Sequence, residues 1–177
     1  GLVAPVLTAF YPNGTLNVAA VPAQAAALAA QGVKWAFVCG STGQSVDLDT
    51  QERKSLAEAC AKSQSLLKVI IHVGAYSLPA AQELASNAEE LGVDAVAAMP
   101  PTFFKPTSIA SLVDTMAAVA SSAPSTPFYY YHIPSRTGVS FSMTGQMEAF
   151  LQQGKVKIPN LNGLKFTYYQ LDDLSFC

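Results

Sequence analysis

Charge is scarce in this chain of 177 residues: only 12% are Asp, Glu, Lys or Arg, and the net charge is −2. So small and slightly acidic a balance leaves no basic footprint for nucleic acid or an anionic membrane surface. There are two histidines and no carboxylates at ligand spacing beside them, so no metal site is expected. The three cysteines, Cys39, Cys60 and Cys177, are odd in number and lack metal spacing, which fits reduced thiols in a cytoplasmic protein. No apolar run approaches the ~18 residues of a spanning helix, so no membrane partner is expected. The N-terminus, Gly1-Leu2-Val3-Ala4-Pro5, has neither the basic region nor the long apolar stretch of a secretory signal. It has no initiator methionine, and a few leading residues are expected to have been trimmed. Absent too are G-x-G-x-x-G after the first apolar run and G-x-x-x-x-G-K-S/T anywhere, the phosphate-cradling turns of nucleotide-binding sheets.

What is present is apolar and periodic. Half of the residues are hydrophobic, enough for one sizeable core. Apolar runs at residues 2–10, 34–39, 68–74, 94–99, 127–131 and 161–167 read as six strands. Helical stretches lie between them. Asn17 is a plausible N-cap for a helix with Val18, Val21, Ala25 and Leu28 on one face, stopped by Gly32. Asp49 with Glu52 reads as a capping box opening a helix to about residue 63. A third helix runs from Pro79 to about Leu91, closed by Gly92. Ile109, Leu112, Val113, Met116 and Val119 share a face of the fourth; Met143, Met147, Phe150 and Leu151 mark the fifth. Residues 171–177 look like the start of another.

A strand–helix unit recurring about every thirty residues implies a parallel sheet with covered faces and right-handed crossovers. An open doubly wound sheet and a (β/α)8 TIM barrel both fit that pattern, and the missing nucleotide signatures favour the barrel. A whole barrel typically needs ~250 residues. Residues 1–177 are therefore expected to form a single, truncated TIM-barrel domain, with only about six βα units present and the C-terminal part missing. Such a barrel would expose a parallel sheet edge and apolar helix faces.

In a barrel, the C-terminal strand ends converge on one rim that carries the chemistry. Three stretches fall there. Gly40-Ser41-Thr42-Gly43 can turn backbone N–H groups and hydroxyls toward an anion, or be a plain glycine-rich turn. Tyr129 and Tyr131 share a side by alternation, with Tyr131 nearest the rim. Tyr131 could shuttle a proton or simply pack in the core. Lys165 ends the sixth run and shares parity with Gly163. It is either an ordinary charged strand end or an amine in an apolar pocket, where Schiff-base chemistry with a ketone is natural. A Cys39–His132 pair is conceivable, though a small buried cysteine and a strand-end histidine explain both. His72, inside an apolar run, is expected to make a satisfied core hydrogen bond.

With these motifs in place, the chain resembles the N-acetylneuraminate lyase and dihydrodipicolinate synthase family of pyruvate-handling class I aldolases. The likeness rests on G-S-T-G (40–43), Y-H-I-P (131–134) and G-L-K-F (163–166), in the family's order and near its spacing. The stretches I-I-H-V-G-A (70–75) and F-Y-Y-Y-H-I-P (128–134) look most like the family's animal lyase branch. The resemblance implies that Lys165 forms the imine with a small 2-keto acid and Tyr131 acts as general acid/base. It implies that Ser41, Thr42 and Gly43 hold the carboxylate beside the keto group, with Thr167 and Arg136 also at the substrate. It further implies cleavage of N-acetylneuraminate to N-acetylmannosamine and pyruvate, no metal or dissociable cofactor, and a homo-oligomer, commonly a tetramer. Departures accompany it. Arg136 resembles the synthase branch, where an arginine there contacts the aldehyde substrate's carboxylate. Gln44 stands where the family often has glutamate, and Phe103-Phe104 where many members place a tyrosine that reaches a neighbouring subunit's site. The family's last two strands and C-terminal helices have no counterpart before Cys177. A synthase-like aldolase and an inactive truncated form therefore stand beside the lyase.

Overall fold

The computed structural model describes residues 2–141 and 145–175. Among the described residues there are six strands: β1 (Val3–Pro5), β2 (Trp35–Val38), β3 (Lys68–His72), β4 (Ala95–Ala98), β5 (Phe128–His132) and β6 (Leu161–Phe166). They pair in parallel and strictly in chain order, with β1 and β6 at the two ends of the sheet. A doubly wound sheet reverses its order part-way and carries helices on both faces. This sheet never reverses.

The long helices are α1 (Val21–Ala30), α2 (Thr50–Ala61), α3 (Leu78–Glu90), α4 (Ile109–Ala120) and α6 (Gln146–Lys157); α5 (Pro134–Thr137) and α7 (Leu171–Ser175) are short. All five long helices contribute to one apolar layer with alternate strand residues such as Val69, Ile71, Val96 and Tyr130. The other strand residues, Phe37, Ile70, Ala95, Ala97 and Tyr131, form a separate cluster without helical members. One face is thus the helix layer and the other a barrel interior. The fold is six βα units of a TIM barrel.

Several local signals act as the sequence predicts. Asp49 accepts from the Glu52 amide at 2.7 Å while Glu52 accepts from the Asp49 amide at 3.0 Å, closing the capping box that starts α2. Gly32 and Gly92 follow helix ends at φ +78° and +66°, a conformation that costs glycine little. The helical face of Ile109, Leu112, Val113, Met116 and Val119 is wholly buried.

Others are corrected. Asn17 precedes a 3-10 turn, Val18–Ala20, and its side chain makes no cap hydrogen bond. The α-helix starts later, at Val21, because Pro22 suits a first turn. Of the run 2–10 only Val3–Pro5 pairs as a strand; Phe10 instead bridges Leu16 antiparallel across the turn at Pro12-Asn13-Gly14. Helix α3 begins at Leu78, with Ser77 accepting from the Ala80 amide. Met143 and Cys177 lie outside the described residues. Among the described residues, no helix is long and apolar enough to cross a membrane.

Candidate active site

Strands β5 and β6 set two functional groups side by side. Their register pairs Tyr131 with Lys165 and Tyr129 with Gly163, so both Tyr131 and Lys165 enter the interior at its C-terminal rim. The Lys165 Nζ lies 3.7 Å from the Tyr131 ring centroid and 5.2 Å from that of Phe37. Two aromatic rings flank the amine of this half-buried side chain. It donates one hydrogen bond, to Thr167 Oγ1 at 3.0 Å.

The Tyr131 phenol reaches the other way, to within 3.1 Å of Ser41 Oγ on the loop after β2. Its ring meets Phe37 edge-on at 5.4 Å and His72 at 5.7 Å. A continuous line of contacts therefore crosses the mouth from Lys165 through Tyr131 to Ser41. Beneath it opens a cavity of about 230 Å³, lined by Phe37, Ile70, Tyr129 and Lys165 among others.

The Gly40–Gly43 loop is held by its ends. Cys39 and Gln44, which flank it, both adopt left-handed backbone, at φ +57° and +54°. Such conformations cost a non-glycine residue on the order of 1 kcal/mol or more and persist only where packing imposes them. A side chain is excluded at Gly40 and tightly opposed at Gly43. A Cβ on Gly40 would lie 2.7 Å from Phe37 Cε1, and one on Gly43 3.0 Å from the Val6 carbonyl. Thr8 Oγ1 donates to the Gly43 carbonyl at 2.6 Å, tying the loop to the segment after β1. The Gln44 and Ser45 amides close the turn on Ser41 and Gly40. Among the described residues, the amides of Ser41, Thr42 and Gly43 bond no backbone carbonyl, so they are available to an anion.

The structure thus gathers Lys165, Tyr131, Thr167 and Ser41, with Thr42 and Gly43 on the same loop. Thr42 is exposed, and no hydrogen bond joins its side chain to that group among the described residues. Arg136 sits in α5, also exposed and outside the cluster. Cys39 and His132 do not pair. They end strands three spacings apart, roughly 14 Å, and His132 stacks on Phe166 at 5.3 Å. Burial pushes the Cys39 thiol up, against the pull of the Arg53 guanidinium, which suits no nucleophile.

His72 makes the core hydrogen bond expected of it, and a second. Its Nδ1–H donates to the Cys39 carbonyl at 2.8 Å and its Nε2 accepts from the Met99 amide at 3.3 Å. Burial, then the nearby Arg53 charge, hold its pKa down to about 3. Phe37, whose ring underlies both Lys165 and Tyr131, is the residue that motif reading missed. Its place on the inner face was accessible from the alternation of β2.

The profile of the Dihydrodipicolinate synthetase family matches residues 1–175. Over 180 aligned residues the chain is 43% identical to N-acetylneuraminate lyase of Gallus gallus, covering 100% of this chain and 57% of that one. The solved N-acetylneuraminate lyase of Proteus mirabilis superposes with a TM-score of 0.94 at 38% identity, covering 100% of this chain and 59% of that one. Dihydrodipicolinate synthase from Aquifex aeolicus superposes at 0.88 with 26% identity, covering 99% and 57%. The chain spans less than two thirds of the length of each of these relatives.

Proposed function

We propose that this chain, which belongs to the Dihydrodipicolinate synthetase family, supplies the Schiff-base centre of an aldolase. The substrate in this reading is N-acetylneuraminate, cleaved to N-acetylmannosamine and pyruvate. The observation that carries it is the contact line in which Lys165 Nζ lies 3.7 Å from the Tyr131 ring and the Tyr131 hydroxyl 3.1 Å from Ser41.

The chemistry follows from that line. In the ring-opened sugar the Lys165 amine adds to the C2 ketone and water leaves, giving a protonated imine. The imine accepts the electron pair of the breaking C3–C4 bond while Tyr131 takes the proton of the C4 hydroxyl. N-acetylmannosamine departs. The remaining enamine is protonated at C3, and water then releases pyruvate and restores the amine. The Gly40–Gly43 loop holds the carboxylate with Ser41, Thr42 and the free amides, and Thr167 orients Lys165 through the 3.0 Å bond. The protonated imine is itself the electron sink, so the scheme calls for no metal or dissociable cofactor. Residues 1–177 are read as one barrel domain, working in the cytoplasm and within a homo-oligomer.

Borohydride trapping with pyruvate tests the reading. A reduced adduct that peptide mass spectrometry maps to Lys165 is the expected result; no adduct on folded protein would sink it and leave an inactive form. Arg136 carries a second reading. It is exposed and in no ion pair among the described residues, as an arginine awaiting an aldehyde's carboxylate would be. Turnover of aspartate semialdehyde with pyruvate in preference to N-acetylneuraminate would decide for that synthase-like activity.

A further inference from the structure

We propose that His72 is a positioning residue, whose imidazole pins the ends of β2 and β4 together and thereby fixes Tyr131 and the Gly40–Gly43 loop for the keto acid. The consequence for the keto acid rests on the aldolase reading; the pin itself does not.

The geometry is that of a two-ended clamp. His72 is the last residue of β3, and its ring reaches sideways to both neighbouring strands at once. On one side it bonds the Cys39 carbonyl, just past the last paired residue of β2; on the other, the Met99 amide, just past β4. Cys39 is one of the two left-handed residues that aim the loop, so the clamp acts on the strained peptide unit preceding Gly40. Gly74 is shaped to permit this. A Cβ there would lie 2.8 Å from His72 Nε2 and 3.0 Å from the Met99 nitrogen, directly against the hydrogen bond. Ala97, paired with His72 on one side and Tyr129 on the other, is small enough to leave the interior open to the rings. The imidazole then meets Tyr131 edge-on at 5.7 Å. Behind it, Arg53 of α2 donates to the His72 carbonyl at 2.5 Å and the Gly74 carbonyl at 2.8 Å, holding the same turn from the helix side.

The chemistry of the ring is specific to this task. One donor and one acceptor in a rigid plane match a carbonyl and an amide, and only the neutral ring offers both. Lysine and arginine lack the acceptor. Leucine fills the volume and leaves the Cys39 carbonyl and Met99 amide without this partner.

The test has two arms on the purified full chain. Nitrogen-15 NMR of the wild-type histidines should place the ring proton of His72 on Nδ1 and leave Nε2 bare. A proton on Nε2 would overturn the pin without any variant. The second arm reads the pyruvate concentration that half-saturates borohydride trapping. In His72→Leu it should rise about tenfold, with the maximal trapped fraction kept. His72→Asn, whose short side chain places its amide near the position of Nδ1 beside the Cys39 carbonyl, should recover to within about threefold; His72→Gln, whose amide is carried one methylene further out toward the position of Nε2, should not. Unchanged half-saturation in a folded His72→Leu, or equal loss in Asn and Gln, overturns the positioning role. If wild type traps no pyruvate, the aldolase reading falls by itself. The tautomer, together with loss of amide-exchange protection at Met99 in His72→Leu, still decides the pin.

Discussion

Tyr130 and Tyr131 are neighbours in β5, are 1% and 2% exposed, and face opposite sides of the sheet. Tyr130 lies against Phe150 of α6, with ring centroids 4.4 Å apart, and its hydroxyl is 3.4 Å from His132 Nδ1. Burial in that apolar layer pushes its phenol pKa well up. Tyr131 instead has Lys165 over its ring and Ser41 at its hydroxyl. Burial therefore separates neither residue from the other. What separates them is the pleat, which sends alternate side chains to a closed helix layer or to an open mouth. The outer face is built for packing, and the inner face places polar groups where a ligand can reach them.

The largest effect should come from removing the inner amine. Lys165→Ala is expected to abolish the borohydride adduct and lower turnover by more than about a thousandfold, since nothing else in the site can form the imine. Circular dichroism should be unchanged, because the side chain is half-buried and makes one hydrogen bond to Thr167. An adduct that survives in this variant would move the chemistry to another lysine and undo the division of the two faces.

Tyr131→Phe comes next. It keeps the ring beneath Lys165 and deletes only the hydroxyl beside Ser41. Imine trapping should persist while kcat for cleavage falls about 10²- to 10⁴-fold, the usual range for a lost proton-transfer group. A kcat within twofold of wild type would return Tyr131 to the packing role that its burial alone suggests.

The inner face should also respond to acid. His72 has a folded pKa of about 3 against an ordinary 6.5. Below pH 6.5 the unfolded chain takes up a proton that the folded one refuses, so stability present above that pH is lost as pH falls toward 3. At about 1.4 kcal/mol per pH unit, the loss reaches a few kcal/mol. Urea unfolding of wild type and His72→Asn at pH 7 and pH 4.5 measures it. Wild type should lose more stability than the variant over that interval, and parallel losses would show that the ring is not held neutral by its surroundings.

Much of this division was legible in the sequence, because alternation alone puts Tyr129 and Tyr131 together, and parity sets Lys165 on the side of Gly163. The capping box at Asp49 and Glu52 and the apolar stripe of α4 were legible for the same reason: each is a local pattern, satisfied within one turn or one face. What escaped depends on elements that meet only in the fold. The left-handed Cys39 and the close approach of Gly40 to Phe37 exist only in the folded turn, and the two bonds of His72 need the ends of β2 and β4 at once. Asn17 misled because cap propensity is local, whereas Pro22 delays the helix behind it. The Ser108–Ser111 capping pair of α4 is hard to read from sequence, since serine at the N3 position replaces the usual acid.

The smallest expected effect is the matching change on the outer face. Tyr130→Phe removes a hydroxyl that makes a long, 3.4 Å contact with His132 and leaves the ring on Phe150 in place. A weak buried hydrogen bond of this kind contributes no more than about 1 kcal/mol. That corresponds to a fall of roughly 2–4 °C in Tm for a domain of this size. Both kcat and the half-saturating pyruvate concentration should stay within twofold, because the hydroxyl faces the helix layer and no ligand can approach it from the mouth. The pair of Phe variants then isolates the pleat. Two identical deletions, one residue apart and equally buried, should differ by two orders of magnitude or more in turnover. A loss of turnover in Tyr130→Phe comparable to that in Tyr131→Phe would mean the two faces are coupled through His132 and Phe166, and that the helix layer takes part in shaping the site.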